Sequence, residues 1–133
     1  IYTEHYPQVL ASTEQEIKQH LEKALYFEKT AFSCCGEDNI VTELKKFDRN
    51  QVIICGLECH VCVNQTVHDL LHKGYQAHLI KDALVSRSKE NFAVGIEKMV
   101  ASGALLSCLE MALFELMKTA KHSCFRDVQA LIK

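Results

Sequence analysis

Tryptophan is absent from the 133-residue sequence, proline occurs once, glycine five times, and neither sign of charge prevails, with 15 basic residues against 17 acidic ones. The two signs are interspersed, so the chain carries no electrostatic footprint for a nucleic acid or a membrane surface. No apolar run approaches the ~20 residues that cross a bilayer, and no signal peptide is seen. No internal repeat or low-complexity tract interrupts the pattern. The 48% hydrophobic content is that of a soluble globular protein long enough to bury a sizeable core. The first residue is Ile1 and the first methionine is Met99. Residues 1–133 therefore read as one domain that is incomplete at its N-terminus.

Cysteine is what the chain has in quantity. Seven of them, an odd number with neighbours at Cys34 and Cys35, do not make a secreted disulfide framework. A reducing compartment follows: the cytoplasm, or a mitochondrion if an absent N-terminus carries a targeting signal.

The sequence is organised around the stretch from Gln51 to Gly74. Val52, Ile53, Ile54 and Cys55 are apolar without alternation, the pattern of a strand buried on both faces, and Gly56 lets the backbone turn at its end. From Val63 the period changes. Val63, Val67, Leu70 and Leu71 share a helical face, and Gly74 is a fitting stop. Cys62 thus falls in the turn or first turn of a helix that follows a buried strand. Ligands bind at the carboxyl ends of strands in open α/β sheets, and a helix N-terminus favours a thiolate, so Cys62 is a candidate nucleophile.

Other chemistry competes for the same thiols. Cys55, Cys59 and Cys62 have the spacing of some iron–sulfur enzymes, and Cys59 with Cys62 that of a redox or zinc pair. Cys55 lies in the apolar strand, however, where extended backbone holds it away from the others and burial makes it a small hydrophobe. An inert packed thiol at Cys62 is the plain structural alternative. His68-Asp69-Leu70-Leu71-His72 imitates a zinc-protease helix, but both histidines lie well round the helix from its apolar stripe and read as solvated.

The remaining segments alternate strand and helix. Ile1-Tyr2-Thr3 ends a strand, and Glu4 to Thr13 is a loop. Thr13-Glu14-Gln15-Glu16 fits a capping box for a helix through Ile17, Leu21 and Leu25. Leu25 to Lys29 is a short strand; by pattern alone Lys29 is a solvated surface lysine. Gly36 to Phe47 is helical with Asp38 as a cap, Ala77 to Ile80 a strand, and Ser88 the cap of a helix ended by Gly103. Ala104 to Ser107 is a last strand, with helices through Met111 to Met117 and from Ser123. This alternation implies a doubly wound α/β fold with a parallel sheet.

Gly56-Leu-Glu-Cys-His-Val-Cys-Val-Asn-Gln-Thr resembles the nucleophile segment of the isochorismatase-like cysteine hydrolases. Thr3-Glu4-His5-Tyr6-Pro7, Glu28-Lys29-Thr30-Ala31-Phe32-Ser33, Asp82-Ala83 with Ser86-Arg87-Ser88, and Ser107-Cys108-Leu109-Glu110 resemble further segments in the family's order. The tail from Phe125 is similar to the eukaryotic isochorismatase domain-containing subgroup. The resemblance implies a hydrolase for a small molecule, an amide in the first instance. Cys62 is its nucleophile, with a pKa lowered by the helix terminus and Lys29. Lys29 is a catalytic residue, and the backbone N–H groups of Glu58 and Cys62 form the oxyanion hole, which requires a cis peptide before Glu58. It implies a homo-oligomer and no cofactor. In the family a third catalytic residue, an aspartate, ends a first strand central in the sheet; no residue here matches it, and Asp38, Asp48 and Asp82 are not assigned to that role. That strand with its crossover, roughly 30 residues or more, is expected to be missing. Glu4-His5-Tyr6-Pro7 stands where metal-containing nicotinamidases carry Asp-x-His-Pro, and Tyr6 replaces the histidine ligand, so no metal is assigned. True isochorismatases lack the cysteine. The alternative to an enzyme is a noncatalytic scaffold or interaction protein that retains the fold.

Overall fold

The computed structural model describes residues 1–132. β1 (Tyr2–His5) and β2 (Tyr26–Lys29) pair in parallel, with Tyr2 opposite Tyr26 and His5 opposite Lys29. β3 (Gln51–Gly56), β4 (Gln76–Leu84) and β5 (Leu105–Ser107) form a second parallel sheet with β4 in the middle. The helices are α1 (Pro7–Leu10), α2 (Gln15–Lys18), α3 (Asp38–Lys46), α4 (Asn64–His72), α5 (Lys89–Ala101), α6 (Leu109–Met117) and α7 (Phe125–Leu131). Every ladder is parallel, as an α/β fold wound through crossovers requires, but among the described residues the strands make two sheets instead of one. No helix among them is long and apolar enough to cross a membrane.

The core follows from the helical period. Val67 of α4 with Ile96 and Met99 of α5 form one buried cluster with Ala77, Leu79 and Leu84 of β4. Val67, Leu79 and Met99 are wholly inaccessible, and each contributes about 1.5 to 3 kcal/mol through loss of apolar surface to water. Gly74, at φ 85, ends α4 by taking the left-handed conformation that a side chain disfavours. Ser88 caps α5, its Oγ accepting the Asn91 N–H at 3.1 Å.

Three expectations are corrected. β3 is not buried on both faces: Ile53 is 49% exposed and Cys55 is exposed, while Val52 and Ile54 are half-buried. β3 lies at the end of its sheet and only the Ile54 face meets the core cluster. The helix expected through Leu25 is a single turn, α2, and Thr13 does not cap it with its side chain. Ile17 is exposed there, so no packed apolar face extends the turn, and a helix this short gains little from its own hydrogen bonds. Glu4 and His5 are not loop residues but complete β1, and Pro7 starts α1.

Candidate active site

β2 ends on Lys29, which is only 5% exposed. Its ammonium donates to the carbonyls of Ala31 at 3.0 Å and Phe32 at 2.8 Å and lies 3.4 Å from His5 Nδ1. These acceptors arise because the chain curls back after the strand. The Glu37 carboxylate fixes that curl by accepting the N–H groups of Ala31 and Thr30, and these two bonds hold its pKa below the ordinary carboxylate range. Among the described residues the Lys29 ammonium makes no ion pair with a carboxylate, which is unusual for a buried lysine.

Beyond the curl the backbone reaches α4. Ser33 is buried, donates to Asp69 Oδ2 at 2.6 Å and accepts the Cys35 N–H at 3.1 Å. Cys34 N–H donates to Thr66 Oγ1 at 2.9 Å, and the Thr66 hydroxyl donates to the carbonyl of Cys62 at 2.7 Å. A single threonine therefore ties the segment that follows Lys29 to the backbone of Cys62.

Cys62 is half-buried and sits in a wide π-helical turn, Cys59–Val63, that precedes α4. α4 thus begins two residues after Cys62. The Leu57–Glu58 peptide bond is cis, the geometry that the resemblance implied. No partner for the Glu58 N–H is found among the described residues, while Cys59 N–H donates to the Val85 carbonyl at 2.9 Å.

All seven cysteines are free. Cys59 is inaccessible, and burial, with the nearby Glu58 charge, pushes its thiol up. Burial and the Asp69 charge push Cys35 up to about 11. Among the described residues no group of three or more His, Cys, Asp and Glu could hold a metal. His68 is not solvated as its helix position suggested: Nδ1 lies 2.7 Å from the Asn64 carbonyl and Nε2 3.1 Å from Ser102 Oγ. His72 is exposed. Glu4, which the resemblance set against a metal-ligating aspartate, is buried and spends its carboxylate on Thr13, Lys18 and Tyr26. Sequence reasoning did not find Thr66, Ser33 or Asp69. The one available signal was the four-residue spacing of Thr66 from Cys62, which lets a helical hydroxyl reach back to a carbonyl.

Parallel strands joined through helices, with a strand-to-helix turn bearing a thiol after β3 and a buried lysine at the end of β2 in the other sheet, make a hydrolase-type α/β fold. The isochorismatase domain family matches this chain over residues 1–111, and the chain belongs to that family. Within it the chain falls in the eukaryotic isochorismatase domain-containing subgroup. It is 34% identical to isochorismatase family protein 1A of Dictyostelium discoideum, covering 98% of this chain and 66% of the relative. It is 35% identical to isochorismatase domain-containing protein 2 of Danio rerio, covering 99% and 66%. The chain spans about two thirds of the length of the curated relatives it matches. Among solved structures it is similar to the MAR1 ribonuclease of Caenorhabditis elegans, at TM-score 0.90 and 37% identity, covering 98% of this chain and 67% of that one. The octameric YcaC hydrolase of Escherichia coli, of unknown specificity, shares the fold at TM-score 0.84 and 18% identity, covering 98% and 70%.

Proposed function

We propose that this chain supplies the nucleophile and the lysine of a hydrolase that acts on a small amide through a covalent intermediate at Cys62. The Cys62 thiolate attacks the carbonyl carbon, the oxygen takes the negative charge, and the backbone N–H groups of Glu58 and Cys62 hold it. Collapse expels the amine, which leaves with the proton first taken from the thiol, and water then releases the acid and restores the thiol. A carboxylate from outside this chain carries that proton. Lys29 favours the anionic forms of the thiol and of that carboxylate.

The observation that supports this reading best is the Lys29 ammonium. It is buried with carbonyl and imidazole partners and, among the described residues, no carboxylate within ion-pair distance, in a segment that Thr66 links to Cys62. A desolvated cation of this kind is costly to maintain for packing alone. The ribonuclease name stays with the neighbours that bear it, since the charge here is mixed along the chain. Assembly into a homo-oligomer is part of the proposal, by likeness to octameric YcaC, and sedimentation measures it.

The test is to incubate the intact protein with small amides and activated esters and to look by peptide mass for acyl-Cys62. Turnover lost in Cys62→Ser supports the reading. An inert thiol and no turnover across the panel favour a noncatalytic scaffold.

A further inference from the structure

We infer that His60 is a positioning residue that locks the loop bearing the Glu58 N–H against the loop between β4 and α5. The inference rests on the role proposed above for Cys62 and the Glu58 N–H. After β3 the backbone is joined to the β4–α5 loop by two main-chain bonds, Val85 N–H to the Gly56 carbonyl at 3.1 Å and Cys59 N–H to the Val85 carbonyl at 2.9 Å. Side chains complete the junction. Arg87 N–H donates to Glu58 Oε2 at 3.2 Å. His60 Nδ1 lies 3.0 Å from Ser86 Oγ and 3.4 Å from Glu58 Oε2, and Asn91 Nδ2 lies 3.4 Å from His60 Nε2.

These neighbours suit one tautomer. With the Asn91 amide N–H₂ facing Nε2 and a carboxylate near Nδ1, the ring that fits carries its proton on Nδ1, donates it to Ser86 Oγ and accepts at Nε2. The imidazole then has no free nitrogen with which to exchange protons with a substrate. Its side chain is only 17% exposed. α5 backs it closely: a Cβ at Gly95 would stand 3.1 Å from His60 Cα and 3.2 Å from its Cβ, tighter than ordinary contact. One oxygen of the Glu58 carboxylate, Oε2, thereby takes the Arg87 N–H as its hydrogen bond and has His60 Nδ1 beside it at 3.4 Å, with the imidazole itself anchored on Ser86. Glu58 is also the residue whose N–H is proposed to meet the oxyanion, so fixing its side chain fixes the aim of that N–H.

The test compares two reactions of Cys62 in the intact protein. Acylation by p-nitrophenyl acetate passes through an oxyanion, and alkylation by iodoacetamide does not. His60→Ala should slow acylation by about tenfold to a hundredfold and alkylation by less than about twofold. His60→Asn, whose amide N–H replaces Nδ1–H, should recover most of the acylation rate. His60→Gln, whose amide falls at the Nε2 position, should not. An unchanged acylation rate in His60→Ala overturns the inference, as does an equal loss in both reactions, which marks a packing residue. Failure of His60→Asn to exceed His60→Ala overturns it as well. If the wild-type protein is not acylated at Cys62, the underlying reading falls and the positioning role falls with it.

Discussion

Replacing Glu4 by glutamine should cost about 2 kcal/mol of stability at pH 7, and the difference should close as the pH falls toward 2. Glu4 is 6% exposed on β1, and its two oxygens are fully engaged. Oε1 accepts the Thr13 N–H at 2.7 Å and Lys18 Nζ at 3.1 Å, and Oε2 accepts the Tyr26 hydroxyl at 2.9 Å. Burial pulls the pKa upward, but the bonds from the Thr13 backbone, Tyr26 and Lys18 together outweigh it and bring the group from 4.5 down to about 2. At about 1.4 kcal/mol per pH unit this difference is roughly 3.5 kcal/mol. Lys18 has 31% of its side chain in water, where screening weakens the pair, which lowers the figure to about 2 kcal/mol. Because the folded-state pKa is depressed, the contribution is complete above the unfolded value of 4.5 and is lost as pH drops through about 2. Glutamine keeps one acceptor for Thr13 but turns an N–H₂ group toward Tyr26 or Lys18. Urea midpoints of the wild type and Glu4→Gln at pH 7, 4 and 2.5 measure the effect. Equal midpoints at pH 7, or a gap that stays constant down to pH 2.5, would refute the linkage.

Lys29→Met should reduce acylation of Cys62 by about a hundredfold or more while changing stability by no more than about 2 kcal/mol, because removal of a buried charge offsets the lost hydrogen bonds. Activity and thermal melting, read on one preparation, separate the two. Burial pushes the thiols of Cys35 and Cys59 up, so at pH 7 iodoacetamide should label Cys62 ahead of both, and earlier labelling of either contradicts the assignment. Ser88→Ala should cost about 1 kcal/mol by removing the acceptor for the Asn91 N–H at the start of α5, measured as a lower urea midpoint with unchanged slope.

Features set by local chemistry were legible from sequence. The stripe Val63, Val67, Leu70 is buried, Ser88 caps α5 and Gly74 ends α4, because period, cap and stop each depend on residues within a turn or two. Cys55 and the short α2 were not, because burial depends on what lies across an element, and neither the open face of β3 nor that of α2 can be read from its own residues. The cis bond at Glu58 came from the resemblance alone. The hydrogen bonds that shape the site were hidden for a simple reason: Cys34 to Thr66 spans 32 positions and His60 to Ser86 spans 26, and no local pattern encodes either.

The division into two sheets and the lack of a direct ion pair for Lys29 among the described residues call for the same element. A two-stranded pair such as β1–β2 is marginal alone in water, and β3 has one unpaired edge among the described residues. Ile53 and Leu105, in register with His78 on one face of the second sheet, are 49% and 48% exposed. Lys29 is buried with no carboxylate in direct ion-pair contact among the described residues, and a desolvated ammonium is stabilised most by an anion held beside it. A parallel strand that joins the two sheets and ends in an acidic residue satisfies the open edges and the charge together. We propose that such a strand is supplied from outside residues 1–133, in keeping with a chain that spans about two thirds of its relatives. In the intact protein the amides of β3 should then resist hydrogen exchange as well as those of β4. Residues 1–133 expressed alone should exchange them much faster and associate. A monomer of those residues that unfolds cooperatively and protects β3 as well as β4 would show that no strand is wanted there.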